Sequence, residues 1–297
     1  MASTRYKQAR HISSPSMQQG QCRPCLNSEE NPASVRLDSG LPALLILIIR
    51  GVYIRAGGRF GSYQFTNTFV LDSILTAFHF SFIKYPNVKS LLESNISLRV
   101  IMAYLNTEKF DDAKALWMRL LKHFPEKLIL DCKSRVKDHL LMFAKLVCAQ
   151  VDYHQETPDD STIYETTLSK FRAFGDVKAL GLADDPALIL VNRDVRINLP
   201  KPPLSVEDDN QRIFELQFLL LCDGTHTVVC FNLSKNVWIL YDDDPAFAST
   251  SFRLFKFEQE LDSYVICLAG YVNITQAEEH KHGIPETGTG AQPFSSG

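Results

Sequence analysis

The chain has 297 residues, of which 45% are hydrophobic and 22% are charged, and its formal net charge is −3. That length holds one large domain or two small ones, and the composition is that of an ordinary globular protein. The slightly negative balance, without any run of Lys or Arg, excludes a general electrostatic attraction to nucleic acid or to an anionic membrane.

We expect neither a secretory signal nor a membrane span in the first fifty residues. Residues 1–19 are polar and lack the apolar core of a secretory signal. The most apolar run, residues 41–49, is too short for a membrane span of ~20 residues, and we predict that it forms a buried strand. The seven cysteines are odd in number and scattered, which indicates reduced thiols and an intracellular protein, cytoplasmic or nuclear.

Both ends of the chain predict disordered tails around a single domain. Residues 1–39 are rich in Ser, Gln, Asn and Pro, and residues 274–297 have no apolar period. Cys22 and Cys25 form a Cys-x-x-Cys pair, but no second pair follows at a spacing that would complete a zinc site, so we interpret them as free thiols. The predicted domain spans residues 40–273.

The first half of that domain has the three- and four-residue apolar spacing of helices. Glycines punctuate the stretch after residue 50 and predict one or two short strands with turns. A helix is then predicted from Phe69 to Tyr85, where Pro86 ends it. Further helices are predicted over about 88–105, 108–123 and 132–151.

The second half changes to short apolar runs with a period of two. The pattern over residues 163–174 is weak and predicts either a helix or a strand. Strands are predicted over residues 187–193, 214–221, 227–232, 237–241 and 264–272, with turn residues between them. Helices followed by strands predict an α+β fold, in which a helical lobe packs against a twisted antiparallel sheet.

Two sequence motifs within this predicted fold resemble those of one enzyme family. Residues 67–73 read Asn-Thr-Phe-Val-Leu-Asp-Ser, and His226 is followed by Trp238 and then by the pair Asp242 and Asp243. These stretches resemble the cysteine box and the histidine box of papain-like ubiquitin-specific proteases. The continuation of the first motif through residues 71–79 is most similar to the SUMO-isopeptidase-like branch of that family.

The resemblance implies a papain-like cysteine protease fold and a role for each matching residue. His226 matches the base, Asp243 its orienting carboxylate, and Asp242 is the alternative for that carboxylate. Gln64 matches the side chain that stabilises the oxyanion, and Asn67 is a second donor nearby. The nucleophile position is Phe69, whose phenyl ring has no atom that can attack a carbonyl.

The thiol has no evident replacement in the sequence. No cysteine lies within forty residues of Phe69 on either side. The nearest hydroxyls belong to Thr68 and Ser73, and a shift of one residue along a helix turns a side chain by ~100° and moves it ~1.5 Å. A hydroxyl is also a weaker nucleophile than a thiolate, so we do not expect either residue to replace the cysteine.

The candidate residues can also be explained without any functional site. His226 can be a half-buried strand histidine without a role, and residues 242–244 before Pro245 also make an ordinary turn. The paired Cys-x-x-Cys motifs that build zinc-bearing fingers in many members of the family are absent as well. We predict no cofactor and no metal.

We therefore expect a catalytically inactive relative of ubiquitin or SUMO proteases. Such a protein would bind ubiquitin, a ubiquitin-like modifier or another extended peptide in the former cleft, and neither nucleic acid nor a membrane. One alternative is an active or recently degraded cysteine-type deubiquitinase or deSUMOylase. Another is a protein-interaction scaffold unrelated to ubiquitin. The sequence does not choose between ubiquitin and SUMO.

Overall fold

A short hairpin is the first described element, and it leads directly into a long helix. The computed structural model describes residues 54–121, 128–148, 168–182, 185–193, 199–224, 226–234, 237–243 and 252–275, all within the unit Pro42–Gly297. Strand β1 (Arg59–Phe60) pairs antiparallel with β2 (Tyr63–Thr66), and β2 pairs in parallel with β3 (Ile129–Asp131). Gly61 has a φ of 57°, which a glycine adopts without steric cost in so tight a turn.

The helix that follows, α1 (Phe69–Lys84), is covered on all sides. Every residue from Leu71 to Phe82 is buried, which is typical of a helix inside the core rather than of one on its surface. Four more helices follow it: α2 (Pro86–Ser94), α3 (Ile96–Asn106), α4 (Phe110–Leu120) and α5 (Val136–Cys148). The helical half of the domain was therefore predicted correctly in outline.

The predicted helix over 88–105 is wrong as a single element. Asn95 is extended there, with φ −100° and ψ 126°, and its side chain accepts hydrogen bonds from Ser97 N (2.9 Å) and Leu98 N (3.2 Å). It is the N-cap of α3 and separates that helix from α2. The apolar period continues through this cap, so periodicity alone did not reveal the break.

An antiparallel sheet forms the second half of the domain. Its strands are β4 (Asp176–Gly181), β5 (Pro186–Asn192), β6 (Ser205–Glu207), β7 (Ile213–Cys222), β8 (Thr227–Ser234), β9 (Val237–Tyr241), β10 (Phe252–Phe255) and β11 (Val265–Asn273). Their order is β10-β9-β8-β7-β11-β5-β4, and β6 pairs with one end of β7. The fold is therefore α+β, as predicted.

Three strands of this sheet were not predicted, and neither was β3 in the smaller sheet. β4 and β10 end the strand order and are partly exposed, and β6 has only three residues. β6 and β10 have only three and four residues, which is too few to establish a period of two, and β4 is a partly exposed end strand. The weak prediction over 163–174 includes a helical segment at residues 168–172.

The central strands are buried on both faces. Alternate residues of each strand enter two separate apolar clusters: Phe218 and Leu220 face the helices, whereas Leu219 and Leu221 face the other way. Phe171, Phe255 and Leu261 cover that second face, together with the short helix α6 (Phe257–Glu260) and the 3₁₀ turn Leu261–Ser263. Burial on both faces explains why these strands read as continuous apolar runs.

Several predictions fall on parts of the chain that are not described. The N-terminal tail, the strand over 41–49 and the thiols of Cys22 and Cys25 lie outside the described residues. At the other end, Ile274 N donates to Ile213 O (3.0 Å), and Thr275 Oγ1 accepts from Ile213 N (2.9 Å). Among the described helices, none combines the length and apolar character needed to cross a bilayer.

Candidate functional site

The start of α1 is shaped by a left-handed residue and a buried threonine. β2 ends at Thr66, Asn67 follows with a φ of 54°, and Phe69 begins the helix. Asparagine tolerates this backbone conformation better than most residues. Thr68 is buried, and its Oγ1 accepts a hydrogen bond from Gly57 N at 2.7 Å. The hydroxyl that directly precedes Phe69 is therefore engaged with the backbone.

The hairpin of β8 and β9 brings the second motif together. His226 directly precedes β8, and Asp242 and Asp243 directly follow β9. The two strands are antiparallel with Val229 opposite Tyr241, so the beginning of one strand lies beside the end of the other. This pairing converts a long sequence separation into side-chain contact.

Both aspartates approach the same nitrogen of His226. The hydrogen bond from His226 Nε2 to Asp242 Oδ1 is 2.8 Å long, and Asp243 Oδ1 lies 3.2 Å from Nε2 as an ion-pair contact. The side chain of Asp243 is 1% exposed, compared with 27% for Asp242. Asp242, the alternative carboxylate, makes the shorter contact, and Asp243, which the resemblance named as the orienting carboxylate, makes the longer one from a buried position.

The charges around His226 favour its protonated form. Burial alone lowers the pKa of the imidazole, but hydrogen bonding and charge from Asp243, and then from Asp242, outweigh burial and raise it to about 9. Opposite charges within a few ångströms stabilise the charged form of a titratable group. Since both carboxylates lie at Nε2, the other ring nitrogen, Nδ1, faces away from them.

Phe69 packs directly against His226. The two ring centroids are 4.6 Å apart with an interplanar angle of 75°, which is an edge-to-face contact. The first residue of α1 and the residue before β8 are therefore neighbours in space. Ser73, one turn further along α1, donates from Oγ to Thr227 O at 3.1 Å and holds the helix to the same strand.

Gln64 and Asn67 are not in contact with this cluster. Gln64 is exposed on β2, where it lies opposite Arg59 on one side and Ile129 on the other. Asn67 Nδ2 donates to Asp131 Oδ1 at 2.9 Å. Among the described residues no contact joins either side chain to His226, so their oxyanion roles remain predictions.

A buried ion pair beside the cluster was not predicted. Lys114 Nζ lies 2.9 Å from Asp72 Oδ1, and neither side chain is exposed. Burial raises the pKa of Asp72 although the Lys114 ammonium opposes this, and the charge of Asp243 raises it further. The sequence offers only a weak signal for this pair, a lysine between two alanines on a helix with an apolar face.

A contact between Ser134 and His139 in the helical lobe does not form a nucleophile and base. His139 Nδ1 accepts from Trp117 Nε1 at 2.9 Å, and His139 Nε2 lies 2.5 Å from Ser134 Oγ. Because an indole nitrogen can only donate, the neutral imidazole has its hydrogen on Nε2 and donates to the serine. Ser134 Oγ in turn donates to Cys132 O, so no base accepts its proton.

The His226 cluster also has the composition of a possible metal site. One ligand atom each from His226, Asp242 and Asp243 lies within 4.8 Å of the others. One imidazole nitrogen and two carboxylate oxygens are donors that several divalent cations accept.

Comparisons with known proteins give weak matches at the level of structure. No family model matches the chain, and no curated protein matches it in sequence. A solved structure of the SAGA DUB module with Ubp8, Sgf11, Sus1 and Sgf73, bound to monoubiquitin, matches with a TM-score of 0.39 and 12% identity, covering 74% of this chain and 69% of that chain. A yeast SAGA DUB module with a mutant Sgf73 matches with a TM-score of 0.33 and 12% identity, over 74% and 68% of the two chains.

Proposed function

We propose that residues 40–273 form a catalytically inactive relative of papain-like ubiquitin-specific proteases. The domain binds ubiquitin, a ubiquitin-like modifier or another extended peptide in its former cleft. The observation that carries this proposal is the contact between the rings of Phe69 and His226, 4.6 Å apart. A histidine flanked by two carboxylates lies against the first residue of a buried helix, and that residue has no nucleophilic atom.

The neighbouring hydroxyls support the absence of catalysis. Covalent catalysis requires a nucleophile within hydrogen-bond reach of its base. Thr68 Oγ1 is bound to Gly57 N, and Ser73 Oγ donates to Thr227 O. Both side chains are buried, so neither is presented to a substrate. The loss of the thiol is therefore not compensated within one turn of the helix.

The surface beside the start of α1 supports a binding role. Phe60, Leu128 and Ile129 are large apolar residues on or next to the three-stranded sheet, and all three are exposed. In this strand order β3 is an end strand, and an end strand offers backbone donors and acceptors to an extended partner. An aromatic ring at Phe69 adds apolar contact area without chemistry.

The proposal is tested with an electrophilic ubiquitin or SUMO probe. The wild-type chain is expected to form no adduct, whereas Phe69→Cys is expected to form one at the new thiol. Phe69→Ser and the double variant Phe69→Cys with His226→Ala are the matched controls and should stay unlabelled. Peptide mapping of any adduct separates position 69 from the seven native cysteines.

The outcomes separate the proposal from its alternatives. Labelling of the wild-type chain would establish an active enzyme and overturn the proposal. A Phe69→Cys variant that folds but does not react would show that His226 and its carboxylates are not arranged for catalysis. Binding of unmodified ubiquitin and of SUMO, measured separately by NMR titration, identifies the partner. The absence of binding to both, and to other modifiers, would favour an unrelated scaffold.

A further inference from the structure

We propose that residues 276–297 of this chain bind in an apolar groove at the edge of the large sheet and close it to other chains. The groove has a volume of about 580 Å³, and its apolar lining consists of Leu204, Val237, Trp238, Leu254, Phe255 and Phe257. His226 and its two carboxylates lie at the opposite end of β8 and β9, so this inference does not rest on the proposed function.

The groove has exposed apolar side chains and an aromatic wall. Leu204 and Leu254 are 40% and 49% exposed. The ring of Phe257 stacks on that of the buried Trp238, with the two centroids 4.5 Å apart. Exposed apolar residues that line one concave surface are typical of a site that binds another segment or chain. β10 is the last strand in the sheet order, so no described strand covers the outer side of the groove.

The chain leaves the described structure at the end of the sheet where this groove lies. Thr275 follows β11, and its Oγ1 accepts a hydrogen bond from Ile213 N at the start of β7. Three residues further along β7, Leu216 N donates to Leu204 O at 2.9 Å. Because the strands are antiparallel, the end of β11, the start of β7 and the start of β9 are neighbours at one end of the sheet.

The distance from Thr275 to the groove is short compared with the length of the segment. In the sheet order β9 lies three strands from β11, and β10 lies four strands from it. At ~4.8 Å per strand these separations are roughly 14 and 19 Å. Ile284 is nine residues after Thr275 and can therefore reach ~30 Å in an extended chain. So short a tether gives a local concentration on the order of millimolar, so a weak contact is sufficient.

The segment contains the side chains that such a groove binds. Ile284 and Phe294 are its only large apolar residues, and each is next to a proline, Pro285 or Pro293. Proline has no backbone donor, and extended segments that contain it bind aromatic-lined grooves through their side chains. Most of the other residues of the segment are polar or glycine. We therefore expect Ile284 and Phe294 to be the two anchors.

Residues 1–53 leave the described structure on the other face of the sheet. Ile54, the first described residue, packs in the apolar cluster on the helical face, and its backbone oxygen accepts a hydrogen bond from the Tyr241 hydroxyl. Trp238 and Phe255 belong to the cluster on the opposite face. Residues 276–297 are therefore better placed to bind in the groove than residues 1–53.

The two tryptophans allow a direct test in the full chain. After labelling with fluorotryptophan, fluorine NMR observes Trp238 at the groove and Trp117, which is buried in the helical lobe, and Trp238→Phe assigns the two signals. We define the segment variant as Ile284→Ser with Phe294→Ser. We expect it to shift the Trp238 signal, because the anchors leave the groove, and to leave the Trp117 signal unchanged.

A synthetic peptide with the sequence of residues 276–297 tests the same contact in trans. The peptide should bind the segment variant and should bind the wild-type chain at least about tenfold more weakly, because the tethered segment competes with it. A peptide of scrambled sequence should not bind. Adding Leu254→Asn to the segment variant should weaken peptide binding by at least about tenfold. Val265→Asn, at a position of similar exposure (50%) at the other end of the sheet, should not.

The outcomes decide between the possible occupants of the groove. Thr289→Ala with Gln292→Ala is the matched control in the segment and should leave the Trp238 signal unchanged. An unchanged Trp238 signal in the segment variant overturns the proposal, and so does equal binding of the peptide to the wild-type chain and the segment variant. A wild-type Trp238 signal that moves with protein concentration would identify a second copy of the chain as the occupant and would also overturn it.

Discussion

Lys114 and Asp72 form an ion pair with no solvent contact, with Nζ and Oδ1 2.9 Å apart. Lys114 Nζ also donates to the backbone carbonyls of Arg55 (2.5 Å) and Gly57 (2.6 Å). One ammonium group therefore joins α4, α1 and the segment before β1. Since that segment also binds Thr68, the start of α1 is held by a buried polar network next to the candidate site.

Replacing the lysine should show how strongly the fold depends on this pair. We expect Lys114→Met to lower the free energy of unfolding by about 3–5 kcal/mol, because Asp72 remains buried without its partner. Urea denaturation measures the loss. Lys109→Met, at an exposed position before the same helix, is the control and should change stability by less than about 0.5 kcal/mol.

The double variant Asp72→Leu with Lys114→Met separates the charge from the packing. It is expected to be more stable than Lys114→Met alone, because removing both charges removes the unpaired one. If the single lysine variant is as stable as the wild-type chain, the pair has no structural importance.

Replacing the buried His139 of the helical lobe should lower the stability of the fold. His139→Leu leaves Trp117 Nε1 without an acceptor in a buried position, and a lost partner of this kind costs about 1–3 kcal/mol. His79→Leu is the matched control, since its partner Asn106 is exposed and can bind water instead. Thermal unfolding of both variants tests the difference, and an equal loss of stability in the two would contradict it.

The close approach of β11 to β7 depends on a glycine. A Cβ atom at Gly270 would lie 2.1 Å from Cζ of Phe218, a ring that is fully buried. We expect Gly270→Ala to cost about 1–3 kcal/mol through overpacking. Phe218→Leu makes room for the methyl group, so the double variant should lose less stability than the sum of the two single variants. Strict additivity would rule out this contact as the cause.

Lys84 should make stability depend on pH in the alkaline range. Its Nζ donates to Gln217 Oε1 (3.0 Å) and Asn232 O (2.7 Å), and burial lowers its pKa to about 8, although the charge of Glu215 opposes this. Between about pH 8 and the ordinary lysine pKa of 10.5, Lys84 keeps its proton in the unfolded chain but not in the folded chain. Folding stability from this group therefore increases as the pH rises through that range.

Lys84→Met isolates this contribution. The free energy of unfolding of the wild-type chain minus that of Lys84→Met should increase by up to about 3 kcal/mol from pH 8 to pH 10.5. Urea denaturation at several pH values measures this difference, in which the titration of other residues largely cancels. A difference that is constant or that falls with pH would contradict the assignment.

Much of the fold could be read from local patterns. The three- and four-residue spacing of apolar residues located the helical half, and apolar runs located β5, β7, β8, β9 and β11, because burial imposes a period on each element. Asn95 shows the limit of this approach. It breaks a helix through its own side-chain hydrogen bonds while the apolar period continues past it.

The members of the candidate site and their order along the chain could be identified from the amino-acid sequence. By the resemblance it predicted Phe69 at the nucleophile position, and it predicted His226, Asp242 and Asp243 at neighbouring strand ends. The three-dimensional packing was needed to show that Asp242 and Asp243 both approach Nε2 of His226, that Phe69 touches His226, and that Asn67 binds Asp131. A sequence motif specifies which groups are present, whereas hydrogen bonds within about 3 Å depend on side-chain directions that the packing of distant elements fixes.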